Sequence, residues 1–287
     1  VPGGPAGPRA PASYDRDTRA GSYGRGMEIV GAGFIARHLA PLRERHPGVT
    51  VLAAGVPRHE VPDSAFERER DLVRRTARSC RSRDRLLVCL STVSMYGSPG
   101  CRGVEDDPVR PSTRYGRHKL GVEQLVRESG ARHLILRLAY VLGPYGPPFR
   151  LVPALVEQIR AGRVRVYRDA CRDMVHVDHF AAVLDRLLGR DVSGTIVNVA
   201  SGDCVDIARM IEHIERRLGV TAERDYVEDA AVSYRASVRR LRSLVPEVAE
   251  WGFGPGYHRL AIDRYLATTE LSGAPANGAA RSVPPPA

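Results

Sequence analysis

A short apolar run, Glu28-Ile29-Val30, opens directly into Gly31-Ala32-Gly33-Phe34-Ile35-Ala36 and then into a helical stretch from Arg37 to His46. Glycines at such positions let a chain leave a strand, turn tightly and bring its backbone against a diphosphate at a helix N-terminus. Strand, glycine turn and helix in this order constrain the fold far more than glycine spacing alone. The alternation continues after Pro47-Gly48. Val49 to Gly55 reads as a second buried strand ending in the small residues Ala53-Ala54-Gly55, and a charged helix follows over about 64–79. Leu86 to Leu90 is a third strand, running into Ser91-Thr92-Val93-Ser94-Met95-Tyr96-Gly97. A helix starts at Tyr115, and Leu134 to Leu138 is a fourth strand, with Gly143-Pro144-Tyr145-Gly146 beyond it. Short strands alternating with helices predict a Rossmann-like parallel α/β sheet flanked by helices.

Beyond residue 150 the pattern changes. Helices at 151–161, 180–188 and 207–218, with strands at 164–167 and 195–199, predict a small C-terminal lobe. The expected plan has a flexible extension over 1–26 and a Rossmann core over 27–145, to which 172–200 returns. The C-terminal lobe takes 146–171 and 201–270, and 271–287, rich in Pro, Ala, Gly and Ser, is expected to be a disordered tail.

Of 43 basic residues one alone is lysine, Lys119. A surface cation exchanges Lys for Arg at little cost. A site that needs a compact ammonium on a flexible stem cannot, because guanidinium is planar and forked. Lys119 follows Tyr115 by one helical turn, so the two share a face. An ammonium beside a phenol favours the phenolate and makes the tyrosine a usable acid or base. The net charge is +10, but the arginines are scattered and interleaved with acids, as in Glu67-Arg68-Glu69-Arg70. That speaks against a nucleic-acid partner and is compatible with a small phosphate-bearing substrate. No run of about 18 apolar residues predicts a membrane span, and 1–26 lack the apolar stretch of a signal peptide. The five cysteines, Cys80, Cys89, Cys101, Cys171 and Cys204, are odd in number and show no CxxC spacing. The expectation is reduced thiols in a cytoplasm, with neither a disulfide framework nor a metal site.

The motifs in order are the glycine turn, Ser91-Thr92 with Tyr96-Gly97, Tyr115 with Lys119, Leu136-Arg137 with Gly143-Pro144, and Arg172-Asp173 with Val175-His176-Val177-Asp178. Together they resemble the extended short-chain dehydrogenase/reductases, and within these the NAD-dependent epimerase/dehydratase family and its nucleotide-sugar ketoreductase branch, over about residues 27–265. The resemblance makes 27–145 with 172–200 the cofactor-binding core and the C-terminal lobe the substrate-binding one, and it implies catalytic roles for three residues. Tyr115 is the acid/base, Lys119 tunes it and holds the nicotinamide ribose, and Thr92 orients the reacting oxygen. It places Gly31, Gly33, Phe34, Ile35, Ala53, Ala54, Gly55, Ser91 and Tyr140 along the cofactor, and Ser94, Arg137 and Arg172 at the substrate. For Ser91 and Ser94, simple turn hydrogen bonding is an equal reading; Arg137 and Arg172 are candidate diphosphate or structural residues, and for Arg172 with Asp173 an internal ion pair is an equal reading. His133 and His176 read as structural. The implied cofactor is NAD(P)H, NADPH ahead of NADH. The implied partners are a nucleotide sugar and a second copy in a homodimer, with no nucleic acid and no membrane.

Two departures sharpen this. In the 4,6-dehydratase branch an Asp-Glu pair follows the catalytic threonine; here Val93 and Ser94 stand there, and neither carries a proton near neutral pH. Keto reduction or epimerisation remains. Second, about 16 residues separate Gly33 from Val49, and the strand ending Ala53-Ala54-Gly55 resembles the family's fourth strand. The second and third strands then read as deleted. In the other alignment 49–54 is the second strand, with no acidic residue for a ribose and only Arg58 and His59 to meet a 2′-phosphate. Tyr140 stands where the family often has Asn. The implied activity is reduction at C4 of a dTDP-4-keto-6-deoxyhexose; the alternatives are an epimerase using bound NAD and a non-redox member of the fold.

Overall fold

The structure, a computed structural model, describes residues 26–56, 61–97, 101–168, 170–227 and 233–271. Strand β1 (Glu28–Val30) leads to the short helix α1 (Phe34–His38), then β2 (Val49–Leu52), α2 (Asp63–Ser82), β3 (Leu86–Thr92), α3 (Arg114–Glu128) and β4 (His133–Leu138). There follow β5 (Tyr140–Leu142), α4 (Leu151–Arg160), β6 (Arg163–Tyr167), β7 (Cys171–Arg172), β8 (Met174–His176), α5 (Val177–Gly189) and β9 (Thr195–Val199). The chain closes with β10 (Val205–Asp206), α6 (Ile207–Leu218), β11 (Glu223–Val227), α7 (Arg239–Leu244) and α8 (Tyr257–Leu271).

The central sheet has five parallel strands in the order β1-β2-β3-β4-β9. Its strands are near-continuous apolar runs because helices cover both faces. Alternation along the strands splits the core. Leu52, Leu87, Cys89 and Ile135 pack with Val73, Ala77 and Cys80 of α2 and Val122 and Val126 of α3. Val51, Val88, Leu134 and Leu136 point the other way, into the larger cluster that includes Leu39 and, from α5, Phe180 and Leu184. Strand β1 sits at the edge and pairs with β2. The remaining strands form three small pairs, β5 with β8, β6 with β11 and β7 with β10.

Three expectations are corrected. The helix expected over 37–46 begins at Phe34 and ends at His38, followed by a 3-10 turn at Ala40–Leu42, because Pro41 has no N–H to continue the ladder. The second strand stops at Leu52, short of the small residues. The cysteines are not all reduced: Cys171 and Cys204 form a disulfide across the β7–β10 pair, with Cα atoms 5.5 Å apart, while Cys80, Cys89 and Cys101 are free thiols. The pairing depends on two-residue strands brought together by the fold, and a separation of 33 residues gives no sign of it. The expected extension and tail, apart from Gly26 and Leu271, and both Arg58 and His59 lie outside the described residues. Among the described residues, no helix is long and apolar enough to cross a membrane.

Candidate active site

In an open parallel sheet, loops at the carboxyl ends of the strands form the binding crevice. Here that edge gathers the glycine turn after β1, Ala53 to Gly55 after β2, Thr92 at the end of β3 and Tyr140 just past β4. Gly31 has φ +130°, and a Cβ there would lie 2.9 Å from the Ala53 carbonyl carbon and the Ala54 nitrogen. Only glycine lets the turn press against the next strand this closely. Gly33 is exposed, and a Cβ built on it would meet nothing within 4 Å, so the space in front of the turn is open. Phe34 and Ile35 start α1 and are half-buried; the Phe34 ring packs edge-on to His38.

Helix α3 is started by Thr113, whose hydroxyl accepts the Gly116 N–H at 3.0 Å. This cap puts Tyr115 in the first turn and Lys119 one turn on, with the ammonium 5.9 Å from the Tyr115 ring centre. Lys119 is buried and does not stand alone. Its Nζ donates to Glu69 Oε1 at 2.8 Å and to the Leu90 carbonyl at 3.4 Å. The other carboxylate oxygen of Glu69 accepts His118 Nε2 at 3.0 Å and the Val56 N–H at 2.8 Å. Burial alone would raise the Glu69 carboxyl, but His118, Lys119 and Val56 outweigh it and hold it at about 2. Burial likewise disfavours the Lys119 ammonium, and Tyr115 and Glu69 reverse this, so its pKa lies above the ordinary lysine value. Gly55 passes over the pair: a Cβ there would fall 2.9 Å from Glu69 Oε1 and 3.2 Å from Lys119 Nζ.

One turn further along α3, Glu123 anchors a second buried network. Arg137 grips it with two bonds of 2.9 and 2.7 Å and donates besides to Tyr96 Oη at 2.6 Å and the Glu105 carbonyl at 3.2 Å. Ser91 donates to Glu123 at 2.5 Å, and Tyr96 donates to Asn198 at 2.9 Å. Arg137 and the Ser91 hydroxyl are thus turned into the protein and held there, an arrangement that matches the structural reading of Arg137 and commits the Ser91 hydroxyl proton to Glu123. The network lies under the 91–97 loop and holds it. Thr92 ends β3 half-buried, accepting the Ser94 N–H at 3.1 Å and donating to Ser94 Oγ at 3.0 Å.

Opposite Tyr115, the Arg172 guanidinium lies 5.0 Å from the Tyr234 ring centre and donates to the Cys171 carbonyl. Burial raises the Tyr234 phenol, Arg172 pulls it down, and Tyr115 raises it again, so Tyr234 lies within electrostatic reach of Tyr115. Asp173 turns to the 201–202 turn, accepting Ser201 N–H and Oγ–H at 2.8 and 2.7 Å and Gly202 N–H at 2.8 Å. Tyr140 is half-buried, its hydroxyl accepting the Val152 N–H at 3.3 Å under Arg150. His133 hydrogen-bonds the Ala131 carbonyl and His176 caps α5. Reading by motif misses Glu69, His118, Glu123 and Tyr234. Glu69 carries a signal: it falls on the buried stripe Phe66, Glu69, Val73, Ala77 and Cys80 of α2, where a carboxylate needs a partner.

A nicotinamide cofactor fits part of this edge. The open turn at Gly33 suits its diphosphate, and Lys119 beside Tyr115 suits its nicotinamide end. For the adenosine ribose, Ala53 to Val56 offer no carboxylate. A parallel sheet of this kind, with tyrosine and lysine one turn apart at its carboxyl edge, defines a Rossmann-type α/β protein of the short-chain dehydrogenase/reductase sort. The chain belongs to the NAD dependent epimerase/dehydratase family, whose model matches residues 37–200. A search of the curated proteins finds no match. Among solved structures, the fold is similar to MoeE5 in complex with UDP-glucuronic acid and NAD, with TM-score 0.73 and 22% identity over 86% of this chain and 99% of that one. It is similar also to RMD from Pseudomonas aeruginosa complexed with NADPH, with TM-score 0.70 and 19% identity over 87% and 100% of the two chains. A third is TunA, an NAD dependent NDP-hexosamine 5,6-dehydratase involved in tunicamycin biosynthesis, with TM-score 0.72 and 18% identity over 86% and 98%.

Proposed function

We propose that the chain reduces a keto group on a nucleotide-activated deoxysugar, of the dTDP-4-keto-6-deoxyhexose type, using NAD(P)H. One observation carries the choice of reduction over dehydration. Tyr115 and Lys119 lie together on α3, Thr92 ends β3 at the sheet's carboxyl edge, and the carboxylates of the two ion pairs, Glu69 and Glu123, are buried and committed to Lys119 and Arg137. With Val93 and Ser94 after Thr92, no free acid/base pair for elimination follows the threonine. The bound cofactor supplies the hydride. The Tyr115 hydroxyl donates its proton to the carbonyl oxygen, yielding the alcohol, and takes one back from solvent. Thr92 Oγ–H, rotated away from Ser94, hydrogen-bonds the same oxygen. Lys119, kept charged in its pocket, stabilises the phenolate left behind.

We also read the strand order, with β1 at the edge beside β2, as the family sheet without its second and third strands. A pared-down adenosine site suits a reductase, which must exchange its cofactor at every turnover. The test is oxidation of NADPH and NADH against a panel of 4-keto nucleotide sugars, with Tyr115→Phe as control. Turnover should fall by about 100-fold or more in the variant with the fold intact. Full activity in Tyr115→Phe would overturn the reading. Epimerisation of the panel without added cofactor would replace it with the alternative chemistry.

A further inference from the structure

We propose that Glu69, oriented by His118, is a positioning residue for Lys119: it fixes where the ammonium sits, keeps it charged, and through the Val56 N–H ties the strand end beside the cofactor to the same point. The inference rests on the reading that Lys119 works with Tyr115. Three donors hold one carboxylate: Lys119 Nζ at 2.8 Å on one oxygen, and His118 Nε2 at 3.0 Å with Val56 N–H at 2.8 Å on the other. Glu69, His118 and Lys119 are 5%, 8% and 6% exposed, so the arrangement is walled off from water and its geometry is fixed by packing. His118 Nε2 must carry its proton to donate here, and its Nδ1 is buried with no hydrogen-bond partner. Its described polar contact is therefore the one that orients Glu69.

The pocket also accounts for the lone lysine. Glu69 and the Leu90 carbonyl each take a single bond from a compact ammonium beneath Gly55, a geometry that a planar, forked guanidinium does not reproduce. The charged and titratable groups that face Lys119 are Glu69 from α2, Tyr115 from α3 and the Cys89 thiol from β3, with Glu123 one turn along. Of the two carboxylates, Glu69 alone hydrogen-bonds it.

Because the chain has one lysine, protein labelled with isotopic lysine gives one side-chain ammonium signal, read by NMR without cofactor or substrate. In Glu69→Gln the titration midpoint of that signal should fall by about one pH unit or more, a tenfold change in its proton affinity. Turnover of NADPH on the keto-sugar panel should fall about tenfold or more, with a shifted pH profile. Gly55→Ala, which removes no charge and pushes a methyl group onto the pair, should move both readouts in the same direction and decides the matter if Glu69→Gln does not fold. An unmoved lysine signal in the folded variants overturns the proposal. So does a moved signal with unchanged turnover and pH profile, which would make the pair merely structural. If Tyr115→Phe is fully active, the reductase reading fails on its own, and the lysine signal still decides whether Glu69 governs the ammonium.

Discussion

Helix α3 carries two buried cation–carboxylate pairs one turn apart, and they are built differently. Glu123 and Arg137 form a forked, two-bond pair, and Ser91, Tyr96 and the Glu105 carbonyl take up the donors and acceptors around it. The described contacts use four of the five Arg137 guanidinium N–H groups, and the pair is almost wholly taken up by protein. It fastens β3, β4, α3 and, through Asn198, β9 to one another. Lys119 and Glu69 share a single bond, and the ammonium has three protons, of which the described contacts use two. This pair lies beneath exposed Gly55 and beside Tyr115. The difference teaches how a fold separates a fastening from a site on one helix. Arginine is used where a rigid fork meets a carboxylate with two bonds, and lysine where a compact charge sits beside the tyrosine.

The comparison can be broken from either side. The largest expected effect is on the pair of Glu123 and Arg137. Glu123→Ala leaves a buried guanidinium without its carboxylate and should lower stability by about 3–5 kcal/mol, measured by denaturant unfolding. A loss under about 1 kcal/mol would show that the network is not holding the sheet. Next is the pair of Glu69 and Lys119 in acid. Glu69 is held at about 2 against an ordinary 4.5, so its contribution is present above about pH 4.5 and lost as pH falls towards 2. By linkage that contribution is at most about 3 kcal/mol. The stability gap between wild type and Glu69→Gln should therefore close between pH 4.5 and 2, whereas a gap independent of pH would mean the carboxylate is not what the variant removed. The smallest effect is at the cap. Thr113→Ala should cost about 1 kcal/mol and loosen the first turn of α3, lowering turnover through Tyr115 more than it lowers the melting temperature.

Much of the central sheet is legible in the sequence because buried parallel strands are written as apolar runs, and Val49 to Leu52 or Leu86 to Leu90 can be little else. In the second half Arg163–Tyr167 and Thr195–Val199 are legible in the same way, but the shortest strands are not. Cys171–Arg172 and Val205–Asp206 are two residues each and exist because the fold lays them side by side. At the site, Tyr115 and Lys119 are legible because helical spacing is local and lysine is otherwise absent. Glu69 comes from another helix, 50 residues away in sequence, and shows itself only as a carboxylate on an apolar stripe. Arg137 shows the limit from the other side. An arginine at a strand's end is open in sequence to a phosphate or a structural partner, and its partner in the fold, Glu123, is set by how α3 packs on β4.

The disulfide has a further consequence, one of chain statistics. Cys171 and Cys204 close a covalent loop of 33 residues that encloses β8, α5 and β9. β9 is the last strand of the central sheet, opposite the β1 edge. A crosslink of this span removes conformational freedom from the unfolded chain worth about 3–4 kcal/mol. The strand at one margin of the sheet thus lies in a segment whose unfolded state is restricted, while at the other margin β1 pairs with β2 without such a crosslink among the described residues.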